Sequence, residues 1–321
     1  MRKVTGTWTP GRKQTEQPVL RQRHKSGSFG DIVFRICNYT VFLLFTLVCV
    51  YPFYYLIINT ISSNELSASG QITLLPRGIH FNNYAEVFKL NGLSAAFGIS
   101  VARTVLGTAG TVMVSAFLGY MFTQKKMWKR KFWYRFLVIT MYFNAGIIPM
   151  FITMKMLHLV NSFWVYVIPA LVQPYNIILV KTYVESIPVS MEEAAEIDGA
   201  GVLQRFVKII LPLCVPILAT IAIFSAVGQW NAFNDTLMYV TDQKLYSLQY
   251  LLYTYLNQAS SLAKMIKSSG IANMTTSLAT QQTPSSIRMT VSVIVVLPIL
   301  CIYPFFQRYF VRGIMIGAVK G

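Results

Sequence analysis

Apolar residues in this chain gather into six long runs separated by polar connections: residues 36–58, 95–122, 136–156, 163–183, 211–230 and 291–310. A helix needs about 20 apolar residues to cross a hydrocarbon core. Each run meets that length, and as a helix each closes its own backbone hydrogen bonds. The pattern predicts an all-α membrane protein with six transmembrane helices. Ten-residue alternation, the mark of a transmembrane barrel, does not occur in it. Prolines interrupt the runs at Pro52, Pro149, Pro169, Pro174, Pro216, Pro298 and Pro304; in a membrane they often mark kinks or unwound turns beside a cavity, although transmembrane helices also tolerate proline, which is the favoured account of any single one. The second run carries Gly107, Gly110, Ser115 and Gly119, small residues that let helices approach closely.

Composition agrees with this reading. Of 321 residues 54% are hydrophobic and only 12% charged, too few charges to cover a soluble surface. The net charge of +17 would suggest nucleic acid in a soluble protein, but the basic residues sit in blocks beside apolar runs. Seven Lys and Arg precede Asp31, six more fall between Lys125 and Arg135, and Arg308, Arg312 and Lys320 follow the last run. The positive-inside rule puts these blocks on the cytoplasmic side, with both termini inside, and nucleic-acid binding is not expected. The expected organisation is a basic cytoplasmic tail over 1–30, a six-helix membrane domain over 31–312 and a cytoplasmic tail over 313–321. Within the membrane domain, 185–212 is a cytoplasmic connection and 231–290 a long outer loop. The three histidines and four cysteines are scattered and form no metal-ligand spacing.

The connection 185–212 stands apart. It holds five of the chain's eleven acidic residues: Glu185, Glu192, Glu193, Glu196 and Asp198. Pro188 ends the preceding helix, and Ser190-Met191-Glu192-Glu193 reads as a capping box opening a new one. A short amphipathic helix to Asp198 follows, with Gly199 and Gly201 allowing a sharp turn.

Residues 193–212 read EAAEIDGAGVLQRFVKIILP. Glu193-Ala194-Ala195, then Gly199, Ile209 and Leu211-Pro212, stand at the spacing of the EAA loop. The chain thereby resembles the permease subunits of ATP-binding-cassette importers, with Asp198 and Ala200 matching the variant common in carbohydrate permeases. The likeness covers nearly the whole chain from Phe34 on. It is greatest to the smaller, maltose-type sugar permeases, in the subgroup that imports oligosaccharides derived from polysaccharides. The resemblance implies a type I importer permease fold in the inner membrane, with Glu193, Ala194, Ala195, Asp198, Gly199 and Ala200 coupling it to an ATPase. It further implies a second homologous permease, a dimer of ATPase subunits and an external solute-binding protein. The chain has no phosphate-binding Gly-x4-Gly-Lys-Ser/Thr loop, so ATP and magnesium are expected to be used by the partner ATPase. No cofactor, metal or catalytic residue is expected here.

Polar residues near helix breaks are candidates for a sugar path: Tyr142 and Asn144; Gln173, Tyr175 and Asn176; Gln229, Trp230 and Asn231. Amides satisfy hydroxyls and aromatic faces stack on sugar rings, although aromatic belts and interhelical amides account for such residues equally well. Arg103 lies several residues inside the second run. Snorkelling to the outer headgroups accounts for it; the alternative is a cavity-facing cation that attracts an acidic sugar. Lys155 and Lys181, at run ends, are expected to snorkel. Two other functions compete. A same-family permease could carry a non-sugar solute, because the EAA loop reports coupling and not cargo. A secondary transporter would need paired intramembrane acids, and no Asp or Glu lies deep in any run.

Overall fold

The computed structural model describes residues 29–89, 92–257, 286–301 and 304. The described residues are helical, with turns and no strand. Helix α1 (Phe29–Ile61) is the longest and passes through Pro52. Its residues 29–52 form a unit of their own and are exposed throughout. A helix apolar on all sides and this exposed is suited to lipid or to a neighbouring subunit.

The second unit starts at Phe53. Two short helices, α2 (Asn64–Ala68) and α3 (Asn82–Phe88), lead to the long α4 (Leu93–Met121). Helices α5 (Arg130–Tyr142), α6 (Ile147–Met156), α7 (Pro174–Glu185), α8 (Val189–Ile197) and α9 (Val202–Arg205) follow. A π-helical turn (Phe206–Ile210), α10 (Leu211–Leu213), α11 (Val215–Asn231) and α12 (Asn234–Tyr239) come next. Two further helices, α13 (248–257) and α14 (Ser286–Cys301), complete the described part.

Among the described residues only α1 and α4 are single helices long and apolar enough to cross a membrane; counting each bent pair as one span gives up to five. The runs 136–156, 163–183 and 211–230, each expected to form one transmembrane helix, are therefore corrected to broken ones. Helices α5 and α6 meet at 120°. There Phe143 is extended and Gly146 has φ 85° and ψ 176°, a conformation open essentially to glycine alone. Two 3₁₀ turns, Phe163–Tyr166 and Ile168–Ala170, precede α7 at a bend of 42°, with Pro169 and Pro174 blocking a continuous α-helical ladder. The turn into α11 bends by 79° at Cys214, between Pro212 and Pro216. Of the last run, α14 supplies the described portion to Cys301. The expectations placed on 1–28, on residues 258–285 of the long outer loop and on 313–321, with Arg308, Arg312 and Lys320, lie outside the described residues.

Helix α4 is the spine of this unit. Its Ala116 and Tyr120 pack with Val180 and Val184 of α7, Phe206, Ile210, Cys214 and Ile221 in one buried cluster. Near its start, Leu93 joins Val87, Trp230, Leu248, Leu252, Val291 and Val295 in a second. Its small residues make the close approaches expected of them. A Cβ on Gly119 would lie 2.6 Å from two side-chain atoms of Val180, and one on Gly107 would lie 2.6 Å from Gln229 Nε2. Val180 is β-branched and fully packed, so α4 and α7 must separate to admit a methyl group. Gly119→Ala is expected to destabilise the protein by about 1–3 kcal/mol. Gly98→Ala, on the same helix with nothing within 4 Å of the new Cβ, is expected to be neutral or stabilising by up to about 1 kcal/mol. Thermal unfolding of the detergent-solubilised variants checks the pair; equal effects would mean that the α4–α7 contact is not close.

Candidate functional site

The first candidate site is α8 and the turn that ends it. Pro188 is its N-cap and the helix opens at Val189, with no side-chain cap bond. The expected capping box on Ser190 is thus corrected: Pro188 already sets the entry, and Ser190 falls inside the first turn. At the other end, Gly199 adopts φ 81°. The Gly199 N–H donates to Glu196 O (3.1 Å) and the Ala200 N–H to Ala195 O (2.9 Å), the paired bonds of a Schellman motif. Gly201 has an ordinary φ of −66° and serves as N-cap of α9, so the sharp turn belongs to Gly199 alone.

One face of α8 is pinned. Glu192 Oε1 accepts from Tyr120 Oη (2.8 Å) and from Gln124 Nε2 (2.7 Å). Glu196 accepts from Arg205 Nη1 (2.7 Å) and from Lys126. Arg205 is only 4% exposed and also lies 3.8 Å from Glu192. Phe206, beside it, stacks on the Tyr120 ring at 5.3 Å. Hydrogen bonds from Lys126 and then Arg205 hold the Glu196 carboxyl below its ordinary value. The opposite face is open. Glu193, Ala194, Asp198 and Gly199 are exposed and Ala195 and Ala200 half-buried, while Ile197 is 87% exposed. The open side of a helix held from behind thus carries a protruding isoleucine beside carboxylates.

The second candidate site is a cavity of about 450 Å³ bounded by α4, α6, the 3₁₀ turns, α7, α11 and α12. The structure brings Arg103, Gln173, Asn176 and Gln229 to its wall. It does not bring the other five candidates there. Tyr142 is 77% exposed. Asn144 is a turn former whose Oδ1 accepts from the Gly146 N–H (2.9 Å). Tyr175 is exposed. The Trp230 indole N–H donates to Val295 O (3.0 Å) inside the second apolar cluster. Asn231 donates to its own helix at Val227 O (3.0 Å). Lys181 pairs with Glu185 (2.7 Å) and sits over the Tyr134 ring.

Arg103 does not snorkel. It is 1% exposed. Its Nη1 donates to Asp235 Oδ1 (3.1 Å) and Ala232 O (3.2 Å), and its Nη2 to Asp235 Oδ2 and Gln229 Oε1 (3.0 Å). Its Nε also reaches Gln229 Oε1 (3.2 Å), and the guanidinium lies 4.4 Å from the Tyr166 ring centre. Sequence reasoning missed Asp235 and Tyr166. The signal for Asp235 was Arg103 itself, because a desolvated cation demands a counter-ion, and Asp235 is the acid just past the Gln229-Trp230-Asn231 cluster. Among the described residues no group of three or more His, Cys, Asp or Glu could hold a metal.

Comparison with known proteins gives this architecture its relatives. Residues 111–316 match the family described as "Binding-protein-dependent transport system inner membrane component". The polygalacturonan/rhamnogalacturonan transport system permease protein YtcP of Bacillus subtilis is 32% identical over 90% of this chain and 99% of its own length. The arabinooligosaccharides transport system permease protein AraQ of Halalkalibacterium halodurans is 28% identical, covering 87% of this chain and 94% of its own. A chain from the crystal structure of a bacterial ABC transporter involved in the import of the acidic polysaccharide alginate superposes with a TM-score of 0.77. It shares 28% identity and covers 89% of this chain and 99% of itself. With well over half of its length inside the family match, the chain belongs to the inner-membrane components of binding-protein-dependent transport systems, the permeases of ATP-binding-cassette importers.

Proposed function

We propose that this chain is the permease subunit through which an ATP-binding-cassette importer moves an oligosaccharide derived from a polysaccharide across the inner membrane. Six spans over 31–312, both termini cytoplasmic, and short cytoplasmic tails at 1–30 and 313–321 complete the reading. α8 faces the cytoplasm and docks on one subunit of an ATPase dimer, which uses the ATP and magnesium. A second homologous permease forms the other half of the pathway, and an external solute-binding protein delivers the sugar. The observation that carries the coupling role is the division of α8 into a pinned face and a free one. Glu192 and Glu196 fix it to α4 and Arg205, while Glu193, Ala194, Asp198 and Gly199 stay exposed. The cargo class is supported by likeness to relatives named for polygalacturonan, arabinooligosaccharide and alginate. The amide-lined cavity suits a polyhydroxylated solute.

Glu193→Arg puts a wrong charge on the docking face. Gly199→Val forces a β-branched residue to φ 81°, where even an unbranched L-residue costs about 1–2 kcal/mol. Each is expected to abolish uptake in vesicles reconstituted with the partner subunits, while the solute-binding protein still binds its ligand. Full uptake by Glu193→Arg would refute the docking role.

Arg205→Gln tests the pinned face. It is expected to lower solute-stimulated ATP hydrolysis about fivefold, in the range of ordinary coupling energies, with membrane abundance kept. Because the Glu196 carboxyl is held below its ordinary value of 4.5, its bonds contribute above that pH and are lost only as pH falls below it. Coupling through this face should therefore not change across the neutral range, and a step there would contradict the assignment.

A further inference from the structure

An ion pair stands in the wall of the cavity, and its two members are unequally placed. The Arg103 side chain is 2% exposed and the Asp235 side chain 22%. The cation is fixed from behind by Gln229 Oε1, Ala232 O and the Tyr166 ring. The anion is the partner that can be reached from the cavity, which both residues line. Resting on the carbohydrate reading above, we propose that Arg103 and Asp235 read the charge of the cargo. Arg103 takes a sugar carboxylate, and Asp235 is the internal competitor that the carboxylate displaces.

The geometry fits an exchange of like for like. Asp235 meets the guanidinium with both oxygens, the forked arrangement that any carboxylate adopts with arginine. A uronate carboxylate entering the cavity presents the same group with the same fork. When Asp235 lets go, its Oδ1 keeps the bond from the Thr236 N–H (2.9 Å), and its exposed edge is already open to the cavity. Gln229 and Ala232, being neutral, hold the guanidinium in place without competing for its charge. A neutral sugar offers hydroxyls alone and cannot replace an ionised partner of a desolvated arginine.

The competitor also solves the release problem. An unpaired arginine in so dry a site would bind a carboxylate too strongly to let it go, and passage requires binding weak enough to leave. Exchanging one carboxylate for another costs little in either direction. Asp235 thus lets an acidic oligosaccharide be recognised without being trapped. The same network holds helices together, so the test must separate charge reading from simple support.

The test compares an oligogalacturonate of fixed length with its methyl ester, which has the same shape and no charge. Uptake is measured in vesicles holding the complete transporter with its solute-binding protein. Asp235→Asn, which leaves the arginine charge unopposed, is expected to lower both the apparent KM and the maximal rate for the acid about tenfold, and to change the ester by less than about twofold. The double variant Arg103→Gln/Asp235→Asn keeps a hydrogen-bonded pair without buried charge. It is expected to lose acid uptake by about tenfold while retaining ester uptake. Should Asp235→Asn fail to accumulate in the membrane, the double variant decides alone. Acid and ester falling by the same factor in either variant, at normal abundance, would show a purely supporting pair and overturn the proposal. Wild-type transporter that moves neither sugar would overturn the carbohydrate reading and this proposal together.

Discussion

A guanidinium withdrawn from water costs several kcal/mol unless paired and hydrogen-bonded, and much of this structure follows from meeting that demand at Arg103. Its partners come from three elements other than its own α4: the first 3₁₀ turn through Tyr166, α11 through Gln229, and the segment of Ala232 and Asp235. The network continues outward. Tyr166 Oη donates to Leu245 O (2.7 Å) and meets Thr236 Oγ1 (3.1 Å), and Thr236 in turn meets Ser247 Oγ (3.0 Å). Three residues further back on α4, Ser100 Oγ accepts from the Leu248 N–H (2.8 Å). Breaks in the helices that flank this network leave a cavity, and the same polar groups form its wall.

The other end of α4 carries the second demand. Tyr120, 17 residues after Arg103 and hence about 25 Å along an α-helix, anchors α8 through Glu192 and stacks on Phe206. Close approaches at Gly107 and Gly119 keep α4 pressed against α11 and α7 between the two sites. A single stiff helix therefore bears both the cavity cation and the anchor of the exposed loop. On the function proposed here, movement of α8 with the ATPase is delivered directly to the helix that lines the cavity.

The sequence made some of this legible and hid the rest for definite reasons. The apolar runs announced an all-helical membrane chain, and the small residues of α4 announced close packing, because both depend on local composition. The EAA spacing singled out 193–212, and the positive φ of Gly199 accounts for the glycine in it. Breaks within the third, fourth and fifth runs were foreshadowed by prolines, yet hydropathy averages over a run and does not see a turn such as Phe143–Gly146. Cavity residues were legible only in part. Gln173, Asn176 and Gln229 face inward, whereas Trp230 and Asn231, next to Gln229 on the same helix, point elsewhere, and helical facing is set by partners distant in the chain. Asp235 was passed over because its role exists only opposite Arg103, 132 positions away.

The central claim is that the free face of α8 is covered by an ATPase subunit in the working transporter. Ile197, 87% exposed in this chain, reports on it most directly. With Cys37, Cys49, Cys214 and Cys301 replaced by serine, Ile197→Cys can be labelled by a water-soluble maleimide in open membranes, with and without the ATPase subunits. The account predicts fast labelling of the permease alone and strong protection once the ATPase is bound. Equal labelling rates in the two preparations would contradict it.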